Sequence, residues 1–122
     1  MARVLVADDA SFMRQMIREI VEAEGHEVVG EASDGDEVVE EFKRLHPDIV
    51  TMDIVMPRRS GIDAVKSIIA LHPDARVVMC SALGQESLVQ EAMAAGALDF
   101  IVKPFKPDSV IATIQKVIEK PE

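Results

Sequence analysis

Asp8, Asp9, Asp53, Ser81 and Lys103 are the residues of this chain whose types could do chemistry together. Asp8 and Asp9 close the run "RVLVA" (3–7), and Asp53 follows "DIVTM" (48–52). Ser81 follows "ARVVMC" (75–80), and Lys103, itself followed by Pro104, ends "LDFIV" (98–102). Three carboxylates brought to one edge repel each other, so either one takes a proton or a cation joins them. The ligands are hard oxygens, with no His or Cys nearby in sequence, which makes Mg²⁺ the natural cation. Lys103 would add a second positive charge and Ser81 a hydroxyl donor. A nucleophilic carboxylate at Asp53, a metal, a lysine and a hydroxyl make a phosphoryl-transfer constellation.

The elements that must position these residues alternate along the chain. Besides the runs above, "HEVVGEA" (26–32) has strand character, and its end, Glu31–Ala32–Ser33, is less distinctive. Between the strands, apolar residues recur at helical spacing. Phe12, Met13, Met16, Ile17, Ile20 and Val21 mark the first helix; Val38, Val39, Phe42 and Leu45 the second. Ile62, Val65, Ile68 and Ile69 mark the third, and Leu88, Val89, Ala92 and Met93 the fourth, closed by Gly96. Val110, Ile111, Ile114, Val117 and Ile118 mark the fifth. Five βα units in series predict an α/β fold: a doubly wound, five-stranded parallel sheet with helices on both faces. Ligands of such sheets bind beyond the carboxyl ends of the strands, where the five residues fall.

Each of these residues could also fill a plain structural role. Asp8 and Asp9 could cap the first helix, Asp53 could begin a turn before Pro57, and Ser81 could cap the fourth helix. Lys103 could be an ordinary surface lysine. Cys80 reads as a small buried hydrophobe and the seven Met residues as core filler. These plain roles weaken jointly as explanations, because all the residues stand at strand ends in separate units with complementary charges. "LHPD" occurs twice, at 45–48 and 71–74, and reads as two similar helix-to-strand joints with surface histidines, His46 and His72.

Composition narrows the function classes. The 122 residues suit one domain spanning 1–122. Hydrophobic residues make up 48% and charged residues 29%, enough for a core under a charged surface. A net charge of −9 would repel phosphate backbones, which argues against nucleic-acid binding. No apolar run has the length of a membrane span, and the N-terminus lacks a secretory pattern. The single Cys80 can form no internal disulfide. A cytoplasmic monomer is expected.

The stretches "VLVADDA", "DIVTMDIVMPRRSGIDAV", "VVMCSALG" and "AGALDFIVKPF" resemble the receiver domains of two-component response regulators. The resemblance covers essentially the whole chain and implies the flavodoxin-like strand order 2-1-3-4-5. It implies Asp53 as phosphoacceptor, with Asp9 and Asp53 as direct Mg²⁺ ligands, Asp8 helping through water, and the Val55 carbonyl a further ligand. Ser81 would bond one phosphoryl oxygen and Lys103 another, and the Lys103–Pro104 bond matches one that is cis in the family. Phe100 stands at the aromatic switch position, where many members carry Tyr; this chain has none. Val55 and Leu83 occupy positions that tune the lifetime of the acyl phosphate. Both are apolar here, so slow self-hydrolysis is expected unless a phosphatase helps.

The implied mechanism moves a phosphoryl group from a histidine kinase to Asp53. Ser81 then draws the β4–α4 loop inward, Phe100 turns in, and the α4-β5-α5 face changes its affinity for a partner. The chain catalyses only its own phosphorylation and dephosphorylation. With no segment after the fifth helix, a stand-alone receiver is expected, most similar to those of chemotaxis. Its partners would then be a chemotaxis kinase and a motility motor switch or adaptor. The alternatives are a phosphorelay receiver, an excised receiver of a larger regulator, and a Mg²⁺-dependent aspartyl-phosphate phosphatase. The last would place its nucleophile in a D-x-D after the first strand, which "ADDAS" does not supply. A flavodoxin-like cofactor binder would need a phosphate loop there instead of an acidic one.

Overall fold

The computed structural model describes residues 1–120. Five βα units follow one another: β1 (Arg3–Ala7), α1 (Ser11–Ala23), β2 (Glu27–Ala32), α2 (Gly35–Leu45), β3 (Ile49–Asp53), α3 (Gly61–Leu71), β4 (Val77–Ser81), α4 (Glu86–Ala95), β5 (Asp99–Val102) and α5 (Pro107–Ile118). All strand pairs are parallel and the sheet order is β2-β1-β3-β4-β5, the doubly wound flavodoxin-like arrangement expected from the sequence.

Alternation along the strands builds two core layers. Leu5, Val50, Met52, Ile54, Val77 and Met79 pack under α2, α3 and α4. Val4, Val6, Ile49, Val78, Cys80 and Ile101 pack under α1 and α5. The central strands β3 and β4 are buried at every residue, which is why they read as unbroken apolar runs.

Besides small shifts at the ends of β2, β4 and β5, three details differ from the sequence-based expectations. β3 runs through Asp53, whereas the expected strand ends at Met52. Ladder pairing continues because Asp53 is in register with Cys80 and the Ile54 amide donates to the Cys80 carbonyl at 3.3 Å. Second, Ile17 and Val21 are buried in α1, but Phe12 is 63% exposed and Met16 also faces solvent. At about 100° per residue, Met16 lies about 100° and Phe12 about 140° round the helix from Ile17, outside the buried arc. Third, the two "LHPD" joints are not equivalent. His46 caps α2 in the left-handed region (φ 48°), while His72 caps α3 in an extended conformation. Both histidines are exposed, as expected.

The Thr51 hydroxyl is buried in β3 with no hydrogen-bond partner among the described residues. A buried hydroxyl without a partner costs stability that an isosteric methyl does not. Thr51→Val is therefore expected to raise the unfolding free energy by about 1 kcal/mol. Urea denaturation checks this; a destabilised variant would show that the hydroxyl is satisfied.

Candidate functional site

The β1–α1, β3–α3, β4–α4 and β5–α5 loops meet at the carboxyl edge of the sheet. Here one oxygen from each of Asp8, Asp9 and Asp53 lies within 4.8 Å of the others. Asp8 and Asp53 are buried and Asp9 is exposed, so the pocket opens on the Asp9 side. Lys103 reaches in from the end of β5. Its Nζ lies 2.9 Å from Asp8 Oδ2 and 3.3 Å from Asp53 Oδ1.

Two backbone features hold Asp53 in place. The Gly61 amide donates to the Ile54 carbonyl at 2.8 Å, seating the start of α3 against the end of β3. A Cβ at position 61 would fall 2.0 Å from the Asp53 carbonyl oxygen, so only glycine permits this approach. The Lys103 amide donates to the Ser81 carbonyl at 2.7 Å, which ties the lysine's backbone to the serine's, and the Lys103–Pro104 peptide is cis.

Helix capping does not account for the paired acids. α1 starts after Ala10 with no side-chain cap, and Asp8 Oδ1 instead accepts the Ala10 amide at 2.9 Å. Nor does Ser81 cap α4, whose N-cap is Gln85; Ser81 is the last, buried residue of β4. Val55 and Leu83 stand on the rim of the pocket loops, 57% and 84% exposed. Phe100 is 41% exposed on β5. Its ring borders a largely apolar recess of about 270 Å³ lined by Ser81, Ala82, Leu83, Val89 and Gln90.

Charge in the pocket is unbalanced. Burial, and then the neighbouring Asp8, push the Asp53 carboxyl from 3.8 up to about 6, with Lys103 opposing the rise. For Lys103, burial disfavours the ammonium, but Asp8 and Asp53 outweigh it and hold its pKa above the ordinary value. Burial pushes the Cys80 thiol up to about 12, so it stays protonated behind the site as the small hydrophobe expected. The donor set fits a small hard cation: three carboxylates with oxygens within 4.8 Å of one another, on a pocket partly open to water. The arrangement offers one poised carboxylate nucleophile, two further acids able to share a divalent cation, and an ammonium beside the nucleophile.

Sequence reasoning passed over Arg14 and set Glu31 aside as a less distinctive strand end. Arg14 Nη1 donates to the Asp8 carbonyl at 2.6 Å, and its Nε pairs with Glu31 Oε1 at 2.8 Å. The signal in the sequence was slight: an arginine five residues after Asp9, and an acid near the end of an edge strand.

The sequence profile described as "Response regulator receiver domain" matches residues 4–115. The chain therefore belongs to the response regulator receiver domain family. Within it, the chain is similar to chemotaxis proteins CheY. It is 55% identical over 115 residues to that of Thermotoga maritima, covering 94% of this chain and 96% of the relative. To that of Bacillus subtilis it is 52% identical over 116 residues, covering 95% and 97%. Among solved structures it resembles the CheX–CheY–BeF₃–Mg²⁺ complex from Borrelia burgdorferi, with a TM-score of 0.92 and 38% identity over 97% of this chain and 90% of that one. Among the described residues no helix is long and apolar enough to cross a membrane.

The raised Asp53 carboxyl predicts a pH dependence of stability. A carboxyl whose pKa is higher folded than unfolded favours the fold while protonated, and this contribution is lost as pH rises from about 4 towards 6. With water screening the open side, the loss is about 1–2 kcal/mol. In Mg²⁺-free buffer at pH 7, Asp53→Asn should melt above the wild type, and the difference should vanish near pH 4. Thermal melts across that range check it; equal melting at pH 7 would mean the pocket carries no excess negative charge.

Proposed function

We propose that this chain is the phosphoacceptor of a two-component pathway, taking a phosphoryl group from a histidine kinase onto Asp53. The observation that carries this reading is Lys103 Nζ, 3.3 Å from Asp53 Oδ1, inside a pocket walled by two further carboxylates. Asp8, Asp9 and Asp53, with the Val55 carbonyl, would hold Mg²⁺. When bound, the cation offsets the negative charge that otherwise keeps phosphate away from three acids.

An Asp53 carboxylate oxygen attacks phosphorus in line. The new O–P bond forms as the N–P bond to the kinase imidazole breaks, and the imidazole nitrogen leaves with the bonding pair. Ionised Asp53 is needed, and its carboxyl near 6 leaves it mostly ionised at neutral pH. Lys103, now paired to both acids, gives one of its N–H bonds to a phosphoryl oxygen, and the Ser81 hydroxyl donates to another. Ser81 and Phe100 line the same recess, so drawing Ser81 and its loop inward bears directly on where the ring can sit. The partner surface is the α4-β5-α5 face, which carries the exposed Phe100 and Val102.

Chemotaxis is the proposed pathway, supported by the CheY relatives at 52–55% identity over nearly the whole chain. The expected partners are a chemotaxis histidine kinase and a motility motor switch or adaptor, in the cytoplasm. Val55 and Leu83 give the water approaching the acyl phosphate no polar neighbour, so slow self-hydrolysis is proposed, with a phosphatase shortening the signal.

Incubation with Mg²⁺ and acetyl phosphate, followed by intact mass, is expected to give one phosphoryl adduct that Asp53→Asn lacks. An adduct retained by Asp53→Asn would refute the assignment. In the same assay Val55→Asn should speed acyl-phosphate decay several-fold; unchanged decay would remove Val55 from the lifetime-setting residues.

A further inference from the structure

Asp8 has all four of its polar groups engaged. Its amide donates to the Ala32 carbonyl at 3.0 Å, Oδ1 accepts the Ala10 amide, and Oδ2 accepts Lys103 Nζ. The fourth, its backbone carbonyl, accepts Arg14 Nη1 at 2.6 Å. Arg14 is in turn fixed from behind. Its Nε lies 2.8 Å from Glu31 Oε1, and the other Glu31 oxygen is held by Arg18 Nη2 at 2.7 Å. Hydrogen bonds from Arg18, and then from Arg14, keep the Glu31 carboxyl below its ordinary pKa against its partial burial, so it is an anion at neutral pH. The Arg14 side chain is only 17% exposed. A charge-assisted clamp thus runs from the edge strand β2, across α1, to the peptide group between Asp8 and Asp9.

That peptide group is planar, so fixing the Asp8 carbonyl also fixes the amide of Asp9 and the direction in which its Cα leaves. Asp9 is exposed, and the backbone therefore decides where its carboxylate stands. We infer that Arg14 is a positioning residue for the acidic pocket: anchored by Glu31, it holds the Asp8–Asp9 peptide so that both carboxylates converge with Asp53 on a divalent cation. This rests on the proposed reading of the pocket as a Mg²⁺ site. Guanidinium geometry is what the task requires, since Nη1 and Nε must bond two acceptors at once in a rigid fork. A lysine keeps the charge but makes a single-point contact.

Arg14→Lys isolates this role, because the pocket's net charge is unchanged. Direct titration with Mg²⁺ alone, by calorimetry or amide chemical shifts, is expected to show affinity weakened about tenfold, as for loss of a residue that orients metal ligands. Hydrogen exchange at the Ala10 amide, which Asp8 Oδ1 accepts, should speed up in parallel. Glu31→Gln, which loosens the anchor without touching the pocket, should weaken Mg²⁺ binding in the same direction by a smaller factor, and it serves if Arg14→Lys folds poorly. Ile17→Val, which opens a buried cavity on the same helix, should lower the melting temperature and leave Mg²⁺ affinity within about twofold of wild type.

Mg²⁺ affinity within twofold of wild type in both Arg14→Lys and Glu31→Gln would overturn the inference and leave the reading of the site intact. Equal weakening in Ile17→Val would also overturn it, by showing that any loss of stability has this effect. A wild-type chain that binds no Mg²⁺ and takes up no phosphoryl group would instead refute the underlying reading.

Discussion

Mutual repulsion among three carboxylates is the constraint around which this molecule is arranged. Left in water, Asp8, Asp9 and Asp53 would separate; folding holds an oxygen of each within 4.8 Å of the others. Among the described residues, Lys103 is the cation paired with the cluster, one ammonium against three acids, and burial and then Asp8 keep the Asp53 carboxyl near 6. The deficit is useful. A pocket neutralised by its own side chains would have no use for a divalent cation, and a pocket more crowded would keep Asp53 protonated and unable to attack. The site sits between these limits.

Holding like charges together requires rigid walls. β3 and β4 are buried along their whole length, so the strand that carries Asp53 has no slack. Gly61 lets α3 start in contact with the Asp53 carbonyl, and Gly35 plays a matching part at α2, where a Cβ would fall 1.9 Å from the Arg59 carbonyl oxygen. The loop between β3 and α3 is further tied to the start of α2 by ion pairs from Arg58 to Asp34 and from Arg59 to Asp36. On the other side of Asp53, Arg14 and Glu31 tie β1 to β2. The edge that carries Asp53 is stiff where charge must be held. It is open at Leu83 and Phe100, where movement would have to occur.

Much of this was legible in the sequence, for identifiable reasons. Strand runs and helical periods give all ten elements, because each buried face repeats a simple spacing. Asp8, Asp9, Asp53 and Lys103 stand out because a charge beside an apolar β-branched run is costly and so calls for a partner. The margin of a helix stripe is harder to read: Phe12 and Met16 belong to the apolar arc by type but lie beyond the width that the sheet covers. The "LHPD" repeat misleads in a related way, since identical residues adopt different backbone conformations in different surroundings. The pairing of Arg14 with Glu31 was hidden for a third reason. An arginine on a helix and a glutamate on an edge strand are ordinary surface residues until tertiary structure brings them together across two elements.

Phe100 has a consequence that follows from what its side chain lacks. A tyrosine at this position could anchor itself with a hydrogen bond, whose strength varies little with temperature. The phenylalanine ring, bordering an apolar recess, can be biased only by the area it removes from water. That driving force is entropic near room temperature, carries a heat-capacity change, and weakens on cooling. Any movement of the ring into this recess would therefore be thermally graded. Under the proposed reading, the contrast between the two ring positions would shrink in the cold even at a constant level of phosphorylation.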